Sequence, residues 1–310
     1  MGKSYKYIFG PVPSRRLGLS LGVDIIPLKT CTQNCLYCQL CIDSPQVAER
    51  REYAPIEEVL DELKAKLAEK ASIDCITISG SGEPTLHSGI GRLISEIKKI
   101  SSIMVVVITN GTLLWNKDVR QSLLKADAVM PSLDACDQAV FERLNNPHPD
   151  ITFDKLVEGL IAFRKDFKGQ FWLEVFMVEG INTADAQIEK FKSIIEKISP
   201  DRVQLNTTVR PAAHPEVKAV SEERLKEIAA AFGPKAEVIA SFSKKAASGS
   251  SESLVEQILA TLKRRPCSAE GLASSLGAKQ SDIEEQIKIL LHKSIVRAEI
   301  INDNEFYIVI

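Results

Sequence analysis

The feature that most limits the possible folds of this 310-residue chain is a regular alternation of apolar runs and helical stripes. Apolar runs that read as buried strands lie at 21–26, 73–79, 103–109, 128–133, 170–178 and 202–205, and a shorter one at 236–240. Helical segments separate them, such as the one with apolar residues at positions 56, 59, 60, 63 and 67. This pattern is typical of an α/β fold with a parallel sheet. Six βα units do not complete a closed eight-stranded barrel.

Three cysteines follow the first apolar run within eight residues: Cys31, Cys35 and Cys38, spaced C-x₃-C-x₂-C. Thiolates packed this tightly suit a soft metal or an iron–sulfur cluster. If three cysteines hold a cube of four irons, one iron keeps a place for a substrate or cofactor. Two alternatives stay open: a three-cysteine zinc site, and a fourth cluster ligand from Cys41, which would close that iron.

Composition favours a soluble cytoplasmic protein. The formal net charge is -2, so a nucleic-acid contact would have to be a local basic patch. The seven cysteines, with no apolar leader before them, indicate a reducing compartment. No stretch approaches the roughly 20 apolar residues of a membrane span. We therefore expect no membrane partner.

With Tyr37 before its last cysteine, the cysteine loop resembles the signature of the radical S-adenosylmethionine (SAM) superfamily. The resemblance implies a partial (βα)6 TIM-like barrel and a [4Fe–4S] cluster held by the three cysteines. It also implies that SAM binds the fourth iron and is cleaved reductively to a 5′-deoxyadenosyl radical. A reductant such as flavodoxin or ferredoxin would supply the electron.

Three further segments, 10–18, 131–135 and 206–211, resemble radical SAM iron–sulfur oxidoreductases related to the tRNA wyosine-synthesis enzymes. The wyosine enzymes carry additional cysteines upstream for a second cluster. This chain has no cysteine before Cys31. The substrate is therefore not inherited from the resemblance.

Two sequence elements near the cysteine loop are candidates for SAM binding. Tyr37 is expected to pack over the adenine edge, or simply against the cluster. Gly82-Glu83-Pro84 resembles the family's glycine–glutamate–proline element. A glycine lets the backbone approach a ligand closely, and the Glu83 carboxylate can accept from the α-ammonium group of SAM.

Other candidates for SAM contacts lie at or near the carboxyl ends of predicted strands: Thr109, Asn110, Ser132, Asp134, Glu174, Gln204, Asn206 and Arg210. Thr109 and Asn110 could equally be cap or turn residues. Glu174 stands between apolar neighbours, where a carboxylate is costly unless paired or bonded to a ligand, so it is predicted to face the barrel lumen. Arg210 could hold the SAM carboxylate, an anionic substrate or a structural ion pair.

Two more polar features have less specific assignments. Asn182, which follows a Glu-Gly turn, is a further candidate at the edge of the lumen. The segment Ser14-Arg15-Arg16 could bind a phosphate-bearing substrate near the barrel mouth, with a solvated charged surface as the alternative.

The composition of residues 242–251 predicts a linker between a core at 1–241 and a second domain at 252–310. Three helices and a hairpin in that second domain resemble a winged helix-turn-helix. The third helix carries Asp282, Glu284 and Glu285, whereas a DNA-reading helix should be basic. A role in substrate docking or dimerisation is therefore favoured over DNA binding.

Three functional hypotheses follow. The first is a radical SAM enzyme that abstracts hydrogen from a substrate yet to be identified, with RNA, nucleotide, peptide and small metabolite all open. The second is a regulator that senses SAM or redox state and binds DNA through the winged helix. The third is a zinc-stapled scaffold without catalytic activity.

Overall fold

The computed structural model describes residues 5–14, 16–38, 40, 44–208, 214, 216–240, 254–262, 266–276, 278–301 and 304–310. Within these ranges the largest feature is an open sheet of eight strands that follow one another in sequence order. Strand β1 (Ile8–Ser14) is antiparallel to β2 (Gly18–Val23), and all later neighbours are parallel. The other strands are β3 (Cys75–Ile78), β4 (Met104–Thr109), β5 (Ala128–Pro131), β6 (Gln170–Met177), β7 (Arg202–Thr207) and β8 (Ala236–Val238). The predicted α/β fold with a mostly parallel sheet is confirmed.

Helices connect the parallel strands and cover the outer face of the sheet. They are α1 (Ile56–Leu67), α2 (Ile90–Ile100), α3 (Lys117–Leu123), α4 (Gln138–Asn145), α5 (Phe153–Asp166), α6 (Asp185–Ile198) and α7 (Glu222–Phe232). Each longer helix buries an apolar stripe, as α2 does with residues three and four apart. Thr152 caps α5, because its side chain accepts a hydrogen bond from Lys155 N.

The inner face of the sheet changes character along the strands. Near the amino ends it holds a small apolar cluster that includes Leu17, Val106, Met130 and Trp172. Towards the carboxyl ends polar side chains such as Glu174 replace the apolar ones. The cysteine loop follows β2 at this same end of the sheet, so the polar side chains lie near the start of the loop.

Two elements differ from the sequence prediction. Strand β1 and its antiparallel pairing with β2 were not predicted, and the first parallel strand ends at Val23 rather than at residue 26. Strand β1 contains Pro11 and Pro13, which an edge strand tolerates because one side has no ladder partner. Helix α4 was not predicted; it is one residue longer than two turns and begins at the side-chain cap of Asp137.

The C-terminal part forms a separate small core from α8 (Leu254–Leu262), α9 (Ala269–Leu276), α10 (Gln280–His292) and a hairpin of β9 (Val296–Ile301) and β10 (Asn304–Val309). Helices α8 and α9 lie against β1. The order of elements agrees with the sequence prediction, while the identification as a winged helix stays a prediction. The predicted linker at 242–251 lies outside the described residues. Of the helices that can be described, none has the length and apolar character needed to cross a membrane.

Candidate functional site

The cysteine loop lies after β2, at the carboxyl end of the parallel sheet. Cys31, Cys35 and Cys38 are partly exposed and form no disulfide. Backbone hydrogen bonds tie the loop to its surroundings: Glu83 N donates to Thr30 O at 3.0 Å, and Val47 N donates to Cys31 O at 2.8 Å. The loop is therefore held by main-chain contacts on both sides of Cys31.

Gly82 of the glycine–glutamate–proline segment packs tightly against the cysteine loop. A Cβ atom on Gly82 would lie 2.1 Å from the Thr30 carbonyl oxygen and 2.5 Å from Ile26 Cγ2. Any side chain here would push the loop away. The glycine was expected to let the backbone approach a ligand closely; in the structure the close approach is to the cysteine loop.

Glu83 is buried, and its carboxylate is bonded within the protein. Its Oε1 accepts from Thr85 N at 2.9 Å, Thr85 Oγ1 at 2.5 Å and Thr109 Oγ1 at 2.6 Å, and its Oε2 accepts from Asn110 N at 2.7 Å. Burial raises the pKa of Glu83, and these hydrogen bonds oppose that rise. Glu83 thus joins the ends of two strand–loop segments. Its predicted contact with the SAM ammonium group stays a prediction.

Asn110 connects this carboxylate to the first cysteine. Its Nδ2 donates to Thr32 Oγ1 at 2.8 Å and lies 3.5 Å from Cys31 Sγ. Its Oδ1 accepts from Thr112 N at 3.0 Å and from Thr112 Oγ1 at 2.7 Å. The Asn110 amide is therefore locked with its N–H group towards the sulfur.

Tyr37 is held by a ring stack and a hydrogen bond. Its ring stacks on Phe176 with centroids 4.0 Å apart and planes 13° from parallel, and its Oη donates to Asp134 Oδ2. Asp134 Oδ1 accepts from Phe176 N at 2.8 Å. Asp134 and Phe176 together fix the aromatic residue of the cysteine loop, while the predicted adenine contact of Tyr37 and the hydroxyl contacts of Asp134 stay predictions.

Asn145, the last residue of α4, is a site residue that sequence reasoning missed. Its Nδ2 lies 3.4 Å from Cys35 Sγ, 3.3 Å from Asp134 Oδ2 and 3.5 Å from Tyr37 Oη. No motif marks this asparagine, and α4 itself was not predicted. The only available signal was an amide residue at the end of a short helical segment.

Burial dominates the electrostatics of the loop. It raises the pKa of Cys31 to about 12, with the nearby Glu83 charge as the next cause, and it raises the pKa of Cys35 as well. Burial also raises the pKa of Asp134 to about 6, against the hydrogen bond from Tyr37. Bound iron ions would instead lower the pKa of the cysteine thiols, because a nearby cation favours the thiolate.

The inner wall beside the loop carries the second group of predicted residues. Glu174 pairs in register with Gln204, and both lie on the face of the sheet that carries Phe176 two residues further on. Glu174 forms an ion pair with Arg16 and accepts from Asn206 Nδ2 at 3.4 Å. Glu174 is therefore paired, as its predicted burial among apolar neighbours requires.

Gln204 and Ser132 complete the described part of this wall. Gln204 Nε2 donates to Glu237 Oε1 at 3.0 Å, and its buried Oε1 has no partner among the described residues. Ser132 meets Glu174 through an isolated parallel β-bridge. Both positions lie beside Glu174, two residues before Phe176, on which Tyr37 of the cysteine loop stacks.

Other predicted residues lie elsewhere. Asn182 is fully buried: its Nδ2 donates to Asp134 O and Phe176 O, and its Oδ1 accepts from Val178 N at 2.7 Å. Asn182 therefore supports the site through the backbone of Asp134 and Phe176. Arg16 is already paired with Glu174, which leaves a phosphate role for Ser14–Arg16 as a prediction. Three of the predicted positions lie outside the described residues: Arg15, Cys41 and Arg210.

The chemistry of the cysteine loop suits a [4Fe–4S] cluster. Within the described ranges, no three Cys, His, Asp or Glu side chains converge on one point that would hold a metal ion. A [4Fe–4S] cube engages each thiolate through a different iron, so its cysteines must surround a cube rather than meet at a point. Amide N–H groups near the sulfurs of Cys31 and Cys35 are the outer contacts that such ligands commonly have.

Comparison with known proteins agrees with this geometry. Residues 25–191 match the family model of the Radical SAM superfamily. A UPF0026 protein from Methanocaldococcus jannaschii is 32% identical over 305 residues, covering 95% of this chain and 88% of that protein. A protein named GTPase Obg from Brachyspira hyodysenteriae is 41% identical over 300 residues, which are 96% of this chain and 44% of that protein, so the chain spans less than half of this relative.

Solved structures show the same fold at low sequence identity. The crystal structure of a radical SAM methyltransferase from Sphaerobacter thermophilus superposes with a TM-score of 0.56 at 15% identity, covering 72% of this chain and 67% of that chain. The likeness concerns the architecture of the sheet and its helices.

Proposed function

Because the chain belongs to the radical SAM superfamily, whose members use a [4Fe–4S] cluster and SAM and are generally enzymes, we propose that it is a catalytic member. In this proposal Cys31, Cys35 and Cys38 bind the cluster, and SAM binds its remaining iron. When bound, the cluster and SAM supply one-electron cleavage of the sulfonium to a 5′-deoxyadenosyl radical that takes hydrogen from the substrate.

The observation that carries the proposal is the way the chain holds the cysteine loop. Glu83 anchors Asn110 beside Cys31, and Asp134 anchors Tyr37 beside Cys35 and Cys38. Each anchor is a buried carboxylate that accepts several hydrogen bonds. A loop of another shape would leave these buried carboxylates without their hydrogen-bond partners, so the arrangement favours one fixed shape.

The remaining predicted contacts are assigned to SAM by their positions. Gly82 lets the backbone pass close to the loop. Ser132, Glu174, Gln204 and Asn206 lie on the face of the sheet that carries Phe176, and we assign them to the ribose hydroxyls and the adenine edge of SAM. We assign Thr109 and Arg210 to the same ligand, although Arg210 lies outside the described residues. The unpartnered Oε1 of Gln204 supports a ligand with an N–H or O–H donor on this wall.

Radical SAM enzymes need an electron donor, and we propose flavodoxin or ferredoxin for this role. We also propose that residues 1–241 form the catalytic core and that 252–310, after the linker 242–251, help to dock a macromolecular substrate, RNA or peptide. The acidic residues of α10 favour docking over sequence-specific DNA binding.

The test is reductive SAM cleavage under anaerobic conditions. Protein reconstituted with iron and sulfide is reduced with dithionite in the presence of SAM, and 5′-deoxyadenosine is measured by chromatography. The wild type and Cys267→Ala, which changes a buried cysteine of the C-terminal core, should form the product, and Cys35→Ala should not. If Cys35→Ala formed as much product as the wild type, the assignment of Cys35 as a ligand would be refuted. If the reconstituted wild type formed no product, the proposed enzymatic activity would be refuted.

A further inference from the structure

Asn145 connects α4 to the cysteine loop through its side-chain amide. We infer that Asn145 is a positioning residue that raises the reduction potential of the cluster by donating a hydrogen bond to the sulfur of Cys35. The inference rests on the proposed function, in which Cys35 is a cluster ligand. It concerns a residue outside the cysteine loop.

The orientation of the Asn145 amide supports a role at the sulfur. Its Nδ2 faces three acceptors, Cys35 Sγ, Asp134 Oδ2 and Tyr37 Oη, at 3.3 to 3.5 Å. Its Oδ1 is buried without a partner among the described residues. The opposite orientation would aim this oxygen at the Asp134 carboxylate and at the sulfur. The protein therefore leaves an acceptor unpaired in order to keep the donor side towards the loop.

Helix α4 fixes where this donor lies. Leu36 N donates to Leu144 O at 3.0 Å, and Asn34 N donates to Asn145 O at 3.1 Å, so the main chain on both sides of Cys35 binds the last turn of α4. Asn145 is 1% exposed, which leaves its side chain little freedom. The sulfur and the amide are thus held in register by backbone contacts.

A fixed N–H group beside a cluster sulfur acts on the redox equilibrium. Reduction adds one electron to the cluster, and part of the added negative charge lies on the sulfur ligands. A hydrogen bond to such a sulfur stabilises the reduced form more than the oxidised form. Loss of the bond should make the cluster harder to reduce, while the cluster itself stays bound.

The experiment compares Asn145→Leu with Asn182→Leu in the full-length reconstituted protein. Asn182 is also buried and bonds to the backbone of Asp134 and Phe176, but it has no bond to a sulfur among the described residues, so it is a matched control for general disturbance of the site. The midpoint potential is measured by dithionite titration followed by electron paramagnetic resonance. We expect about a tenfold smaller ratio of reduced to oxidised cluster for Asn145→Leu at a fixed potential, which is a shift of about 59 mV to more negative values.

Asn145→Val, which is smaller and also lacks a donor, is measured alongside and should shift in the same direction. The midpoint of Asn182→Leu should stay near that of the wild type. An unchanged midpoint in Asn145 variants with full iron content, or an equal shift in Asn182→Leu, would overturn the inference. Loss of the cluster from both Asn145 variants would also overturn it, because Asn145 would then serve cluster retention. The proposed function would stand in each case, since wild-type product formation tests it separately.

Discussion

Glu83 and Asp134 show how far a residue type in a motif reveals its role. Both were predicted as cofactor contacts from their places after strands, and both lie at the candidate site. Their carboxylates, however, accept hydrogen bonds from protein groups that are 2 to 97 residues away in sequence. Hydrogen-bond partners at such separations depend on the folded loops, so the sequence predicts the location of these carboxylates and leaves their partners undetermined.

The raised pKa of Asp134 predicts a specific pH dependence of stability. Asp134 titrates at about 6 in the folded protein, against 3.8 as its ordinary value. Between these two pH values the folded state holds more protons than the unfolded state, so the free energy of unfolding falls as pH rises from about 4 to 6. In Asp134→Asn this contribution is absent. Relative to the variant, wild type should lose up to about 3 kcal/mol over this range.

Denaturant unfolding of the cluster-free proteins at a series of pH values measures this difference. The comparison cancels the titration of all other carboxylates that behave alike in both proteins. Parallel stability curves for the wild type and Asp134→Asn would contradict the raised pKa.

Gly82 leads to a second prediction at the residue scale. In Gly82→Ala the new methyl group would meet the Thr30 carbonyl oxygen, so either the cysteine loop or the glycine–glutamate–proline segment must move. Overpacking of this kind costs about 1–3 kcal/mol. Gly271→Ala in α9, where the nearest heavy atom to a new Cβ is the Ser268 hydroxyl at 3.2 Å, serves as the control.

For Gly82→Ala, chemical denaturation should show the loss of stability, and iron analysis after reconstitution should show reduced cluster content. Gly271→Ala should bind iron as the wild type does. Full cluster content in Gly82→Ala would mean that the close approach at Thr30 is not needed to shape the loop.

At the scale of elements, buried strands were easier to predict than the edge strand β1 and the short helix α4. The parallel strands are covered on both faces and therefore appear as apolar runs. The helical stripe at positions 56 to 67 likewise coincides with α1. Strand β1 was missed because its prolines and glycine hide the strand pattern, and α4 was missed because eight residues give few repeats of the helical period. Because α4 was not predicted, Asn145 at its end was not predicted as a site residue.

The residue that follows α4 allows an effect on cluster binding to be distinguished from an effect on stability. Asn146 follows α4 in the left-handed conformation, with φ of 40°, and its carbonyl oxygen accepts from Asn34 N at 3.0 Å. Ser199 follows α6 in the same conformation, with φ of 53°, far from the loop. A β-branched residue is strained there by roughly 1–2 kcal/mol. Both side chains are exposed, so Asn146→Val and Ser199→Val form a matched pair.

We expect both variants to unfold at lower denaturant concentration by similar amounts. Only Asn146→Val should also lose reconstituted iron, because the strained turn moves the carbonyl groups that hold the cysteine loop. Equal iron content in the two variants would show that the α4 terminus does not control the loop.

At the scale of the whole molecule, the sheet forms the site by bringing segments that are distant in sequence to one edge. The ion pair of Arg16 and Glu174 joins the β1–β2 connection to β6, and Phe176 joins β6 to the cysteine loop. The alternation of strands and helices predicts which residues reach the carboxyl edge. It does not predict which of them face ligand and which face one another, since that depends on loop packing.

Mössbauer spectroscopy of protein reconstituted with ⁵⁷Fe can establish whether three protein thiolates hold a four-iron cluster whose remaining iron binds SAM. We expect SAM to change the signal of one iron in four and to leave the other three unchanged. Four irons that do not respond to SAM would contradict this assignment.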